Sequence, residues 1–107
     1  MSTDTAEDRI FKALAAPIRR KILDELKKEP RTTGQLCDSF PELDRCTIML
    51  HLKVLGDSDL VIPVRRGRER WNYLNAMPIR DIHNRWIGPY AAFAAEGLAE
   101  LKLELES

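Results

Sequence analysis

Long apolar segments are absent from this sequence. No run of about 18 apolar residues is present that could span a bilayer. Residues 1–8 are polar and acidic and lack the apolar stretch of a signal peptide. Membrane insertion and secretion are therefore not indicated. We expect a cytoplasmic protein without a membrane partner.

Cysteines and aromatic residues are scarce as well. The two cysteines, Cys37 and Cys46, could form at most one disulfide, and without a secretory context we expect reduced thiols. Aromatic residues make up 7% of the 107 positions and hydrophobic residues 44%, which is enough for one compact core but not for two. We therefore predict a single domain over residues 1–107.

An excess of charge of either sign is missing too, but the charges are unevenly distributed. The 17 basic and 17 acidic residues cancel. The segment between positions 45 and 70 is nevertheless rich in basic residues, namely Arg45, Lys53, Arg65, Arg66, Arg68 and Arg70. The segment after Gly88 is rich in glutamate instead. A protein that is neutral overall can thus present a basic face to phosphates.

Two helices open the predicted fold. Apolar residues at helical spacing, closed by Pro17, predict a first helix over residues 5–16. Pro17 suits the first turn of a second helix, which ends before Pro30. The apolar stripe of this second helix consists of Ile18, Ile22, Leu23 and Leu26.

The next segment, residues 32–56, has the outline of a helix-turn-helix. Thr32 and Gln35 form a capping-box pattern that predicts a short helix, which Pro41 stops. Asp44 is a natural N-cap for a second helix that begins only a few residues later. Two short helices joined so closely are typical of a helix-turn-helix.

A basic hairpin is predicted over residues 60–75. Two extended runs flank Gly67, which can supply the positive φ of a tight turn. Pro63 places the first run at a sheet edge because proline cannot donate a backbone hydrogen bond. Beyond the hairpin, apolar spacing predicts final helices over residues 78–105 with a break near Gly88. The predicted class is mainly α with a small β hairpin.

The helix that follows Asp44 is apolar on more than one side. A helical projection buries one stripe, made of Ile48, Leu52 and Leu55. Opposite this stripe fall Cys46, Met49, Leu50 and Lys53, with Arg45, Thr47 and His51 on the flanks. Either a second protein layer or a partner covers the outer apolar residues. DNA is one such partner, because methionine and leucine can pack on thymine methyl groups while Arg45 contacts a guanine edge or a phosphate.

Five short segments occur in a characteristic order along the chain. They are RRKILDELKK, TTGQLCDSF, HLKVLGDSDLV, RRGRERWNYLN and RDIHNRWIGPY. From about Phe11 to the end, the chain resembles the ArsR-type winged helix-turn-helix transcriptional regulators, and its last segment resembles a subgroup with a tryptophan in the final helix. The resemblance implies a homodimer joined through its first and last helices. It also implies a roughly palindromic operator, usually bound by a repressor that a ligand releases.

The sequence departs from the family pattern inside the recognition helix. The family usually has a small polar residue, most often serine, where this chain has Met49, and often a basic or polar residue where it has Leu50. The next two residues, His51 and Leu52, keep the family pattern. We expect DNA binding, with apolar contact replacing hydrogen bonds at the two changed positions. The alternative is a winged-helix protein-interaction module that no longer binds DNA specifically.

Two sets of candidate site residues result. The expected DNA-binding residues are Thr33, Arg45, Cys46, Thr47, Met49, Leu50, His51, Lys53, Arg65, Arg66, Arg68 and Arg70. The expected dimer interface comprises Ile10, Phe11, Leu14, Trp86, Tyr90, Phe93, Ala94, Gly97, Leu98 and Leu101. The hairpin arginines are expected on phosphates or in the minor groove, the alternative being a solvated loop. The alanine-rich end of the chain allows two helices to approach closely, as a homodimer requires.

Metal sensing is not predicted. Cys37 matches the first thiolate of the metal-sensing branch of the family, but Ser39 stands in place of the second. A single thiolate makes a poor site for a soft metal. Asp81 and His83 match the opening of another sensor site in that family, whose partner ligands are replaced here by small residues. We expect neither a metal nor another cofactor.

Catalysis is not predicted either. The histidines His51 and His83 have no nucleophile and orienting acid at a recognisable spacing, and no glycine-rich phosphate loop is present. Thiol sensing by Cys46 is an open alternative, because the neighbouring Arg45 and the helix start favour a thiolate. A small-molecule effector would be unidentified, and a pocket among the aromatic residues of the last helices is one place for it.

Overall fold

The computed structural model describes residues 3–88 and 91–106, which form helices around one small sheet. The helices are α1 (Thr3–Ala15), α2 (Pro17–Lys28), α3 (Thr33–Ser39), α4 (Arg45–Asp57), α5 (Met77–Trp86) and α6 (Ala91–Glu106). The strands are β1 (Arg31–Thr32), β2 (Val61–Arg66) and β3 (Glu69–Leu74). The architecture confirms the predicted winged helix-turn-helix, in which α3 and α4 form the helix pair and the β2–β3 hairpin is the wing.

Three helices, α2, α3 and α4, begin where local chemistry predicts. Pro17 occupies the first turn of α2, where a missing N–H loses no helical hydrogen bond. At α3, the Gln35 N–H donates to Thr32 Oγ1 at 3.1 Å and the Thr32 N–H donates to Gln35 Oε1 at 2.9 Å, which confirms the capping box. At α4, the Thr47 N–H donates to Asp44 Oδ1 at 2.7 Å. This hydrogen bond lowers the pKa of Asp44 because it favours the carboxylate.

The sheet has one strand more than the sequence predicted. Its strand order is β1-β3-β2, both pairs are antiparallel, and Pro63 lies on the edge strand β2 as predicted. The extra strand β1 pairs Arg31 with Asn72. Two residues are too few to show an alternating pattern, so β1 left no signal in the sequence. Gly67 has a φ of 64° in the hairpin turn, which confirms its predicted role.

The core is shared by the first four helices and the start of β2. Its largest fully buried apolar members are Ile22, Leu36, Ile48, Leu52, Leu55, Leu60 and Val61. Ile10 of α1 belongs to the same cluster and is only 7% exposed. Its side chain is therefore unavailable to a second chain, which corrects its assignment to the dimer interface. Leu14 also packs against this cluster but is only partly buried.

Helix α5 packs against α1 within one chain. The rings of Phe11 and Trp86 stack with their centroids 6.0 Å apart. Beside them, Arg85 Nη1 donates to Glu7 Oε2 at 2.6 Å. Phe11 is still 42% exposed and Trp86 63% exposed. These two predicted interface residues therefore contact each other and together leave an apolar surface open.

A break separates α5 from α6, as predicted, and Gly88 has a φ of 40° there. Along α6, the exposed fractions are 67% for Leu98, 50% for Leu101 and 77% for Leu105. Gly97 is exposed on the same helix. The part of α6 with described side chains thus extends away from the core.

Part of the predicted dimer interface lies outside the residues and side chains that the structure describes. Tyr90 lies outside the described residues, and so do the side chains of Phe93 and Ala94. In the part of the chain that the structure describes, no helix combines the length and the apolar character needed to cross a membrane.

Candidate nucleic-acid interface

The inner side of α4 fixes the orientation of the helix. Ile48, Leu52 and Leu55 are all 0% exposed, which confirms the stripe that the helical projection predicted. Phe40, at the end of α3, is buried in the same cluster. Rotation of α4 about its axis would expose this stripe to water. The opposite side of the helix is therefore held toward solvent.

The outer side of α4 presents two large apolar side chains. Met49 is 47% exposed and Leu50 is 65% exposed. Cys46 and Lys53 are exposed beside them, and Lys53 Nζ lies 3.2 Å from Asp57 Oδ2. Within the described residues, no second protein layer covers Met49 and Leu50. The helical projection therefore placed this outer face correctly.

The flanks of α4 differ from each other. Arg45 is exposed in the first turn, and Thr47 is half-buried. His51 is also half-buried, and Arg19 Nη1 lies 3.4 Å from its Nδ1. Burial, and then the nearby positive charge of Arg19, lower the pKa of His51. These effects favour the neutral imidazole, in which Nδ1 can accept from the guanidinium.

Arg19 connects the side of α4 that carries His51 to α1, a role that the sequence did not reveal. Its Nε donates to the carbonyl of Ala13 at 2.7 Å, and its Nη2 donates to the carbonyl of Lys12 at 2.9 Å. These carbonyls lie in the last turn of α1, where a cation is favourable. One guanidinium thus joins the end of α1 to His51 on α4. No sequence pattern marks it, because the contact to His51 spans 32 positions.

An open groove runs between α4 and the wing. Met49, Leu50 and Lys53 line it from the helix, and Pro63 and Arg70 line it from the strands. Its surface is mainly apolar, while the charged groups come from Lys53, Arg70 and Asp57. The outer face of α4 and the wing therefore form one continuous surface.

The wing concentrates positive charge. Arg65, Arg66 and Arg68 are exposed, and Arg70 is half-buried. Arg65 and Arg70 are direct cross-strand partners, an arrangement that disfavours the sheet because like charges repel. The guanidinium of Arg66 lies 5.9 Å from the ring centre of Tyr73. A phosphate bound at the wing would offset the repulsion between Arg65 and Arg70.

Asn72 joins the wing to the helix-turn-helix. It is 0% exposed, and its Nδ2 donates to the carbonyl of Arg31 at 3.2 Å and to Thr33 Oγ1 at 3.3 Å. Thr33 is itself only 5% exposed. Its hydroxyl faces this internal contact rather than solvent, which corrects the expectation that its side chain meets DNA. A polar residue on the inward side of a strand, between Trp71 and Tyr73, was the signal that could have identified Asn72.

The remaining candidate ligands are dispersed. Cys37 is half-buried and Cys46 is exposed, and both are free thiols. Among residues 3–88 and 91–106, no group of three or more histidine, cysteine, aspartate or glutamate side chains could hold a metal ion. The surface that gathers the predicted residues is therefore the outer face of α4 with the wing.

Known proteins with similar sequences and structures share this architecture. A family model described as a helix-turn-helix domain matches residues 14–64. The transcriptional repressor SdpR of Bacillus subtilis (strain 168) is 33% identical over 75 residues, which are 70% of this chain and 82% of that protein. An ArsR-like transcriptional regulator from Rhodococcus sp. RHA1 is 26% identical with a TM-score of 0.72, covering 96% of this chain and 95% of that one.

A third similar protein is a homodimeric winged helix-turn-helix DNA-binding domain from Mycobacterium bovis, described as a possible ArsR-family regulator. It is 25% identical with a TM-score of 0.65, covering 71% of this chain and 70% of that one. These similarities span the helix pair and the wing that form the basic and apolar surface. The chain belongs to the ArsR-type winged helix-turn-helix family of DNA-binding transcriptional regulators.

Proposed function

We propose that this regulator is a homodimeric repressor that inserts α4 of each chain into successive major grooves of a roughly palindromic operator. The observation that carries the proposal is the division of α4 into a fully buried stripe and an outer face on which Met49 and Leu50 stay exposed. In a two-fold symmetric complex the half-sites would lie about 34 Å apart. SdpR, a similar protein, is a repressor, which supports repression rather than activation here.

In this complex the N-terminal turn of α4 faces the base edges. Arg45 contacts a guanine edge or a phosphate, and Cys46 and Thr47 lie close to it. Lys53, one turn beyond the apolar pair, neutralises a phosphate. The arginines of the wing contact the backbone or enter the minor groove.

Exposed leucines on α6 support the homodimer. Leu98, Leu101 and Leu105 are spaced by three and four residues and therefore share one side of the helix. Monomeric proteins seldom leave so continuous an apolar stripe in water. Trp86 adds a large exposed apolar side chain on α5. The similar domain from Mycobacterium bovis is a homodimer, which favours the same assembly here.

The proposal includes release by an unidentified small molecule rather than by a metal ion. Cys37 is followed two positions later by Ser39, so a pair of thiolates is not available at this position. We therefore propose that the regulator belongs to the non-metal-sensing part of the family.

Selection of bound fragments from random DNA tests the proposal and identifies the operator. We expect a two-fold symmetric site whose affinity falls steeply with salt, because phosphate contacts release counterions. Arg45→Ala should weaken binding by about tenfold or more, the effect of removing one good hydrogen-bonded pair with a base. Lys27→Ala, which removes an exposed cation from α2, is the matched control. Failure to recover any preferred fragment would contradict the proposal.

A second candidate function is binding to a protein through the same face. The exposure of Met49 and Leu50 favours it, because apolar patches of this kind often mark protein interfaces. Purified protein without DNA affinity, together with a partner whose capture is abolished by Met49→Asp, would decide for this second function.

A further inference from the structure

We propose that the outer face of α4 recognises thymine methyl groups, so that the centre of each half-site is selected by apolar contact. This inference rests on the proposed function and specifies the bases that the operator must present. It concerns Met49 and Leu50, the two large apolar side chains that α4 exposes beside the groove to the wing.

The hydrogen-bonding side chains of α4 lie about one turn before or after this pair, and Lys53, one turn beyond it, has its Nζ 3.2 Å from Asp57 Oδ2. Arg45 and Thr47 lie in the first turn. His51, which follows Leu50, is half-buried and engaged by Arg19. The central turn therefore offers a base pair two side chains that cannot form strong hydrogen bonds. Recognition of the base pair that faces this turn must therefore come from shape and apolar contact.

Among the four bases, thymine alone presents a methyl group in the major groove. Every base facing Met49 and Leu50 would lose water from a polar major-groove atom, but only thymine would gain a methyl contact in return. Leaving such a polar group buried and unpaired disfavours the complex. The apolar pair thus favours A·T pairs, because only there does a methyl contact offset the loss of water.

The charges around the groove identify DNA as the occupant. Arg45 lies at the start of α4, Lys53 and Arg70 line the groove, and Arg65 is the cross-strand partner of Arg70. Lys53 already pairs with Asp57, but an apolar protein segment would require Arg45, Arg65 and Arg70 to lose solvent without a new partner. A duplex brings phosphates to the same rim and a methyl group to its centre, so its charge pattern matches the whole surface.

The test uses an operator obtained by selection, in which single thymines are replaced by deoxyuridine. This change removes only the 5-methyl group and leaves the base-pairing edge intact. For the wild-type protein, fluorescence anisotropy should show an affinity loss of about three- to fivefold at one or two thymines per half-site, as expected for one buried methyl group. All other thymines should tolerate the replacement.

Variants assign the effect to side chains. Met49→Ala and Leu50→Ala should bind the thymine operator more weakly and should lose their sensitivity to deoxyuridine at the central positions. Val54→Ala is the matched control, because Val54 is an apolar residue of the same helix that is 38% exposed and lies outside the groove. This control should keep the full sensitivity. All three positions are exposed, and circular dichroism would verify that the variants fold.

The outcomes separate the inference from the proposed function. Salt-dependent operator binding that is equally strong with thymine and deoxyuridine at every position would overturn methyl recognition and leave DNA binding intact. An unchanged deoxyuridine penalty in both alanine variants would overturn the role of Met49 and Leu50. A protein that binds no operator at all would overturn both proposals.

Discussion

Leucines are exposed at two ends of this molecule, on α4 and on α6, and their surroundings differ. Leu50 lies on a helix whose other side is completely buried, next to a groove bordered by arginine and lysine. Leu98 and Leu101 lie on a helix whose described side chains are all exposed and whose neighbours include several glutamates. Exposure alone therefore does not identify a partner. From the charges beside each apolar patch we propose DNA as the partner of the first and a second protein chain as the partner of the second.

The largest expected effect compares the two sides of α4. Leu52→Ala should lower the free energy of unfolding by about 2–5 kcal/mol, because it opens a cavity at a site that is 0% exposed. Leu50→Ala, two positions away, should change it by no more than about 0.5 kcal/mol. Urea unfolding of both variants measures the difference. Similar losses for both would show that the outer side of α4 also supports the fold.

The second prediction tests α6 as an interface between chains. The double variant Leu98→Asp with Leu101→Asp should convert the dimer to a monomer, since it places charges in an apolar contact. Operator affinity should then fall by about 100-fold because the two half-sites are no longer bound together. Light scattering measures the mass and anisotropy the affinity. Leu103→Asp, at a position 67% exposed on another side of the helix, is the control; a dimeric double variant would refute the assignment.

The third prediction concerns the wing. Arg66→Ala combined with Arg68→Ala should reduce the slope of log affinity against log salt by about two units, roughly one for each phosphate that is no longer neutralised. Lys21→Ala with Lys27→Ala removes the same charge from α2 and should leave the slope nearly unchanged. Titrations over a range of salt concentrations measure both slopes. Equal salt slopes for the two double variants would show that the wing arginines lie in a solvated loop and neutralise no phosphate.

The smallest expected effect is a pH dependence from His51. Burial and Arg19 favour its neutral form in the folded state, so its pKa lies below the ordinary value of 6.5. As the pH falls below about 6.5, the unfolded chain takes up the proton first, so the free energy of unfolding decreases. Above that pH, His51 is neutral in both states and no longer makes stability depend on pH. His51→Gln should flatten this part of the profile. Urea unfolding at a series of pH values on both sides of the ordinary pKa measures it, and an identical slope in the variant would contradict the assignment.

The features that the sequence predicted correctly depend on neighbouring residues. The capping box at Thr32, the N-cap at Asp44 and the two faces of α4 each follow from contacts within one or two turns. The edge position of Pro63 follows from its missing N–H group. Such features can be predicted because the residues that determine them are close together in the sequence.

The features that the sequence missed connect distant segments. Asn72 donates to Arg31, 41 positions away, and Arg19 contacts His51 across 32 positions. A hydroxyl at a helix start is usually exposed, which favours Thr33 at the DNA surface, yet Asn72 holds it inside. Ile10 is misassigned to the dimer interface because helical spacing cannot tell the side of a helix that packs on its own core from the side that packs on a partner.

The link between Asn72 and the start of α3 has a consequence for the thermodynamics of binding. Because β1 pairs with β3 and Asn72 bonds to Thr33, the base of the wing is ordered before DNA arrives. The distance between the recognition helix and the wing is then set by folding, and little entropy is lost in fixing it during association. We therefore expect operators to match this preset span, so that inserting a base pair between the part of the site under α4 and the part under the wing weakens binding.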